Sequence, residues 1–581
     1  MKNDHGLASV LLTIACLAYA SEALAQSSVA VELDAPEQVS ALLQRHVRLL
    51  RQGEVTVPES GPDRTALARR TRREVLDLLA TEGYFKPVVR FDRPSEAGWK
   101  LMVEPGVRAS IASVDIRFEG ELADAADLAG LRESLVEGWS LPVGQPFRQS
   151  DWDRAKQQLL DAVSRRRFAA ARARSTLAEV AEDGSSVRLA VVIDSGPTFR
   201  LGALEVSGLD RLPADLVERY STVKAGDVYD QDALLALQEV LQAAPQFASV
   251  VVNIERDPAL ADAVPVRIQV AEAQSRRLSF GAGVSSNTGY RVESGYRDVN
   301  FFGHGWELST GLRLEQLRQS LFADLFFPPS PDGHRDSVGA LIDNSDVEGL
   351  RTDSQAIGVA RTMIDGNVET QVTLRLQHES LHPDGADPRS LETLTANWGW
   401  VKRDVDNVLD PRSGQVLEFQ VGGGASVALS SQDFMRVYGR YQRYFPLGET
   451  DVLSLRAEFG KTFADSREGI PQDFLFRAGG AQSVRGYAYQ SLGVRDGAAT
   501  VGGRYLGTLS AEYVHWFRAD WGGAVFVDTG DAADSPGDFR LRTGYGLGAR
   551  WRSPAGPLAV DLAWGQDEKR LRLHFGVAVA F

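Results

Sequence analysis

Cysteine is almost missing: the 581 residues contain one, Cys16. That excludes an internal disulfide and any metal site built from several thiolates. A basic surplus is missing too. Aspartate and glutamate number 78 against 63 lysines and arginines, a net charge of −15, which excludes the cationic face of a nucleic-acid binder. No apolar run reaches the ~20 residues that a membrane-spanning helix needs. H-E-x-x-H, G-x-S-x-G and the P-loop pattern are absent. Gly544-Tyr545-Gly546-Leu547-Gly548 has the spacing of a nucleotide loop, but it sits in an alternating segment with no helix after it. His515 and His574 are isolated. The chain is therefore not read as an enzyme, with no catalytic residue, no metal and no cofactor expected.

What is present begins with an export signal. Lys2 and His5, partly offset by Asp4, precede an apolar run from Leu7 to Ala20, and Ala23-Leu24-Ala25 forms an A-x-A cleavage site. A membrane anchor would need a longer run, and Leu12-Thr13-Ile14-Ala15 is a poor context for lipidation of Cys16. A signal peptide over 1–25 is expected. An exported chain without spanning helices can still enter a membrane as a closed β-barrel.

The chain changes period near Ser275. Residues 27–275 mix helical and strand patterns and form a diverged repeat. Units end at Leu101-Met102-Val103-Glu104-Pro105-Gly106, at Ala190 to Pro197 and at Val266 to Glu272, and new ones open at Val114 to Gly120 and Leu204 to Gly208. Helices are expected at 63–82, 150–166 and 230–243, with Asp151 and Asp230 at helix starts and Gly83 as a C-cap. Each unit reads as strand, two helices, two strands. This order resembles the polypeptide-transport-associated (POTRA) domain, three in series over 27–108, 109–197 and 198–275. Three generic periplasmic adaptors would share the pattern. An exposed strand edge on such a module could take up a strand from an unfolded client.

Residues 276–581 alternate instead. Leu571, Leu573, Phe575, Val577, Val579 and Phe581 share one face of the last segment, and Arg570, Arg572, His574 and Gly576 the other. Leu278, Phe280, Ala282 and Val284 alternate with Ser279, Gly281, Gly283 and Ser285. A soluble sandwich alternates too. Segments of about ten residues and aromatics near their ends (Tyr444-Phe445, Trp516-Phe517, Trp551, Trp564) favour an inside-out transmembrane barrel. Sixteen strands are expected, among them 336–344, 353–362, 368–378 and 391–402. Arg550, Arg552, Asp561 and Arg570 would line the lumen. The connection 464–502 is far longer than the others and, by strand parity, extracellular. The expected fold class is thus α+β modules followed by an antiparallel transmembrane β-barrel of about 16 strands, with the modules in the periplasm.

Ordered motifs run through this half. Asp406-Asn407-Val408-Leu409-Asp410-Pro411-Arg412-Ser413-Gly414 comes first. Then follow Phe476-Arg477-Ala478-Gly479-Gly480, Val484-Arg485-Gly486-Tyr487, Gly502 to Leu506, Leu509 to Tyr513, Phe526-Val527-Asp528-Thr529-Gly530 and Gly546 to Pro557. Together with a terminal Phe581 they resemble the outer-membrane barrel assembly (Omp85) superfamily, which holds BamA, TamA and two-partner secretion transporters. Three modules and sixteen strands are most like the TamA branch.

By parity Glu512 shares a face with Thr508 and Ser510, and Asp528 lies opposite Val527 and Thr529, so both carboxylates are expected to point inward. The resemblance implies that the loop arginine, Arg485, pairs with them, making Val484, Arg485, Gly486, Tyr487, Glu512 and Asp528 a loop anchor. It implies a weak seam between first and last strands, where Gly281 and Gly283 face Gly576. It also implies a C-terminal insertion signal in His574, Gly576, Val579 and Phe581. The implied function is assembly or translocation of outer-membrane clients, autotransporters in particular, across a lateral seam in the lipid bilayer. The implied partners are unfolded clients and a TamB-like inner-membrane protein docking on the first module. A general BamA-like insertase, a two-partner secretion channel and, more distantly, a barrel hydrolase are the competing readings.

Overall fold

A computed structural model describes residues 28–51, 54–56, 61–95, 98–330, 332–554 and 556–580. The signal segment with Cys16, and Phe581, lie outside the described residues. The chain divides into two compact units.

The first unit, residues 1–203 with 225–232 and 254–265, carries two α/β layers. Its first sheet runs in the order Glu54–Thr56, Ser28–Asp34, Gly98–Glu104, Val88–Ser95. Helices Glu37–His46 and Gly61–Thr81 bring Val39, Leu43, Val75 and Leu79 to a core shared with Val89, Leu101 and Val103. Pro62 sits in the first turn of the long helix, where a missing N–H costs nothing. Gly83 follows its end at φ +89°, and a Cβ there would lie 2.4 Å from the Phe147 carbonyl, so only glycine serves. The second sheet, Ser110–Glu119, Ser186–Asp194, Arg172–Val180, alternates Val187, Leu189, Val191 and Ile193 into a core with Trp152, Leu159 and Val163 of helix Gln149–Ser164. A third sheet has the order Leu201–Ser207, Val264–Glu272, Phe247–Ile254. The short strand Glu54–Thr56 is an addition to the expected unit.

The second unit, residues 204–224, 233–253 and 266–581, contains a closed antiparallel barrel of sixteen strands. They are β1 (Arg276–Ser285), β2 (Gly289–Phe301), β3 (Trp306–Glu315), β4 (Arg318–Phe326), β5 (His334–Val347) and β6 (Leu350–Asp365). Next come β7 (Val368–Pro383), β8 (Arg389–Val405), β9 (Gly414–Gly424), β10 (Phe434–Leu447) and β11 (Asp451–Phe463). The last are β12 (Tyr505–Trp516), β13 (Trp521–Ala533), β14 (Arg542–Ser553), β15 (Gly556–Gly565) and β16 (Arg570–Ala580). The alternation sorts as expected of an inside-out barrel: Leu278, Phe280, Leu571 and Leu573 are exposed, while His574 between them in parity is buried. Strands β5–β8 outrun the sequence expectation by two to five residues at the ends near residues 348 and 384. There Leu350, Leu381 and Leu391 pack with Ala499 and Val501 of the long loop. Trp516 departs from the expected outer girdle: the Arg552 guanidinium stacks on its ring at 3.5 Å. Trp521 and Trp551 stack on each other instead, at 5.2 Å and 8°.

Within this unit the 204–253 segments are tied to the barrel. The Glu272 carboxylate accepts from the N–H groups of Asp210, Arg211 and Leu212 and from Arg211 Nε, all at 2.8–2.9 Å. Burial works against its charge, but these donors win and hold it down to about 2. Asn300 of β2 donates to the Arg211 carbonyl at 2.9 Å, and the buried Gln246 amide donates to the Gly305 carbonyl of the β2–β3 turn at 2.7 Å.

Candidate functional site

The connection between β11 and β12, residues 464–504, folds back against the barrel wall. The register of β12–β16 prepares its seat. Cross-strand pairing sets Ser510, Asp528, Gly544 and Gly565 in one row, and Gly548, Asp561 and His574 in another. Parity then turns the carboxylates of three strands to a common point.

Arg485 occupies that point. Its Nε and Nη2 donate to the two Asp528 oxygens at 2.7 and 3.0 Å, a bidentate fork. Its Nη1 reaches Glu512 at 2.6 Å and Asp561 at 2.9 Å. Arg550 closes the ring, donating to Glu512 at 2.7 Å and Asp561 at 2.5 Å. Ser510 donates to Asp528 at 2.6 Å, and the Arg485 guanidinium lies 3.4 Å over the Phe526 ring. Arg485 is 5% exposed and Asp528 0%. Two cations and three carboxylates satisfy one another in a place where a lone charge would be costly.

The backbone of the loop tip is seated as closely as its side chains. A Cβ on Gly544 would lie 1.8 Å from the Arg485 carbonyl oxygen, and one on Gly565 2.5 Å from that of Gly486. Gly486 itself has φ +95°, and a Cβ on it would stand 2.8 Å from Gly565 N. The Gly486 N–H donates to His574 Nε2 at 2.9 Å. Tyr487, fully buried, donates its hydroxyl to the Thr543 carbonyl or Asp567, both at 3.2 Å. Val484 packs with Ala478, Tyr487 and Leu492.

The structure thus brings together Val484, Arg485, Gly486, Tyr487, Glu512 and Asp528. Asp561 and Arg550, expected only to line the lumen, are direct partners. The Gly544–Gly548 run, which resembled a nucleotide loop, is the floor under the tip: Gly546 makes room for Phe526, and Gly548 for Asp561. His574 was expected as part of a terminal signal. It also joins β16 to the loop tip. Strand register, which a single sequence does not print, is the signal that would have found these.

Further along, the same loop is moored to the other wall. Gln472 N–H donates to the buried Glu379 of β7 at 3.0 Å. Strands Val494–Asp496 and Ala499–Val501 form a small hairpin that joins the cluster of Leu350, Leu381 and Leu391. At the opposite end of the barrel, the turn 406–413 reaches across from β8–β9: Asp410 meets Arg552 of β14 at 2.5 Å. Asp406 braces this turn. Burial opposes its charge, but the N–H groups of Ser413, Arg412 and Asn407 hold its carboxyl below the usual range.

The seam lies between β1 and β16. Among the described residues, Gly281 to Ser285 pair with Gly576 to Ala580. Ser286 and Phe575 exchange two more bonds through backbone and hydroxyl. Residues 276–280 of β1 have no partner on that side among the described residues. Gly576 has open space around it, but Gly281 does not: a Cβ there would meet the Glu293 side chain at 2.8 Å. Gly281 therefore makes room for Glu293 and does not loosen the seam. Val577 stands opposite Val284. Among the described residues no His/Cys/Asp/Glu group is arranged to hold a metal.

Comparison with known proteins bears on this geometry. Residues 277–581 match the Omp85 superfamily domain. The outer membrane protein assembly factor BamA of Nitratidesulfovibrio vulgaris is 25% identical over 388 residues, covering 63% of this chain and 48% of that protein. The chloroplastic outer envelope protein 80 of Arabidopsis thaliana is 25% identical over 423 residues, covering 63% and 54%. The chain spans about half the length of these relatives. The crystal structure of BamA from Haemophilus ducreyi lacking POTRA domains 1–3 superimposes with a TM-score of 0.68 at 18% identity, covering 81% of this chain and all of that one.

Proposed function

The chain belongs to the Omp85 superfamily, and from that premise we propose that it is an outer-membrane assembly factor whose β1–β16 seam opens to admit client strands. One observation carries this reading: among the described residues five pairs hold β1 to β16, where β6 and β7 pair over sixteen. An unpaired backbone group in lipid costs several kcal/mol, so the wall parts most cheaply here. Among the described residues, 276–279 have no partner on that side, with Leu278 turned outward. A client strand would pair there and add rungs as β16 lets go.

The three N-terminal layers serve as periplasmic POTRA-type modules that pass clients toward the barrel. The finer reading is a TamA-like factor acting on autotransporter-type clients with a TamB-like inner-membrane partner. No nucleotide or cofactor takes part, and the work comes from client folding or from that partner. A secretion channel would need a free lumen; the loop carrying Arg485, moored to β7 and to β12–β16, favours the insertase.

The test is a pull-down from crosslinked envelopes. Recovery of nascent barrel proteins at β1 and β16 is expected. Recovery of one dedicated secreted passenger would favour the channel and overturn the insertase reading.

A further inference from the structure

The inner wall of β4–β7 carries a hollow of about 260 Å³, and no residue of the 464–504 loop lines it. Cross-strand pairing puts Phe322, Leu341 and Ala356 in one row, and Asp324, Gly339 and Gly358 in the next. Their neighbours in parity, Leu321, Ile342 and Ile357, are exposed on the lipid side, so both rows face the lumen. Glycines clear the space. A methyl on Gly339 would run into Asp324 Oδ1, and one on Gly311 into the Phe322 ring. Both longer side chains therefore lie along the wall and leave the hollow open between them. Phe322, Leu341 and Ala356 are half-buried, an apolar island in a wall that is otherwise polar. At its edge, Asp324 has no hydrogen bond and no ion pair among the described residues. Other inward carboxylates of these strands are paired: Glu293 with Arg313, Glu307 with Arg297 and Asp343 with Arg318. Arg375, the one cation lining the hollow, already meets Asp473 of the loop at 3.3 Å. One uncompensated negative charge is left beside apolar surface.

We propose that this hollow binds a small organic ammonium ion, an amine on a compact apolar or aromatic body. The ammonium group donates to Asp324 in a charge-assisted bond, and the body covers Phe322, Leu341 and Ala356. The Phe322 ring also attracts a cation to its face. Other occupants fit less well. An anion meets the Asp324 charge, and a neutral molecule leaves that charge unpaired. A hard metal ion needs several oxygen ligands, and no such group is arranged among the described residues. An extended strand finds no free backbone, because β4 to β7 are each paired on both sides. A lysine side chain carries the same ammonium group, but it brings a polar backbone over the apolar island. The volume is also below the ~300 Å³ at which drug-sized sites begin, so the site is assigned to a free amine. It is independent of the β1–β16 seam and goes beyond the assembly reading.

The test uses the full-length mature chain in nanodiscs of neutral lipid at neutral pH, with empty nanodiscs as the blank. The probe is para-fluorophenethylammonium, followed by fluorine NMR. Its twins are the neutral para-fluorophenethyl alcohol and the anionic para-fluorophenylpropionate. A blocked glycyl-lysyl-glycine peptide stands for a client side chain and is scored by displacement of the probe. Expected is saturable binding of the ammonium ion, weaker on the order of tenfold for the alcohol, and none for the propionate. The peptide should not displace it at matched concentration. Asp324→Asn keeps the shape and removes the charge, and it should weaken binding by a similar factor. Ala356→Phe keeps the charge and fills the hollow, and it should block binding. Heat-modifiable gel mobility confirms that both variants are folded barrels, and the comparison of twins in the wild type needs no variant at all. Equal binding of ammonium and alcohol, unchanged binding in either folded variant, or no saturable binding overturns the proposal. So does displacement by the peptide, which would give the hollow to client lysines. Client capture at β1 and β16 is scored separately in the same preparation, so its failure with the ammonium bound refutes the assembly reading alone.

Discussion

Two stretches of the same barrel wall differ sharply in how they are held. Between β12 and β16 the strands are locked from inside: Arg485 and Arg550 stitch carboxylates from β12, β13 and β15 together, and His574 of β16 receives the loop tip. One strand further on, between β16 and β1, five paired residues and the Ser286–Phe575 contact close the cylinder among the described residues. The wall is rigid up to its last strand and weak immediately beyond it. A stiff margin next to a weak joint concentrates opening at that joint, because strain cannot spread into the locked strands.

The largest way to break the contrast is to remove the weakness. Cysteines at Val284 and Val577, opposed in register, should form a crosslink that abolishes client insertion, with recovery on reduction. Insertion that persists in the oxidised form would end the seam mechanism. Next comes weakening of the lock. Arg485→Ala leaves Asp528 without its cation, while Arg550 still holds Glu512 and Asp561; removing one partner of a buried pair costs ~3–5 kcal/mol, less where water enters. The barrel should still insert, with a lower unfolding temperature by heat-modifiable gel mobility and reduced client insertion. Arg485→Lys should fall between, since it keeps the charge and loses the fork.

Gly544→Ala tests the floor without touching a charge. Its methyl would drive into the Arg485 carbonyl, and overpacking of this kind costs ~1–3 kcal/mol. Protease cleavage within 464–504 should speed up while the strands stay intact. Smallest is an acid effect at the base. Glu272 is held at about 2 in the folded chain, below its ordinary 4.5. Its contribution is therefore complete above pH 4.5 and is lost as pH falls toward 2. Protection of the Asp210–Leu212 amides against hydrogen exchange, relative to the intrinsic rate at each pH, should fall over that window in the wild type, and Glu272→Gln should show low protection at every pH, with the seam unaffected.

How much of this could be read in advance follows from geometry. Alternation along a strand is local, so the sixteen strands and the inward aim of Glu512 and Asp528 were legible. Which inward residues of different strands meet depends on register, which is set by pairing across the sheet. Asp561, Arg550 and His574 therefore looked like any other lumen residue, and the Gly544–Gly548 glycines like a nucleotide motif. The extension of β7 to Pro383 was hidden for another reason. Proline ordinarily ends a strand, and here the added length is held by contact between Leu381 and a hairpin more than a hundred residues later.

The bond from Gly486 to His574 has a consequence for biogenesis. The acceptor lies on β16, the fifth strand after the loop, so the arginine loop completes its seat only when β16 has docked beside β15. A barrel whose β16 has not docked would hold the loop tip by its carboxylate partners alone, without the Gly486–His574 bond.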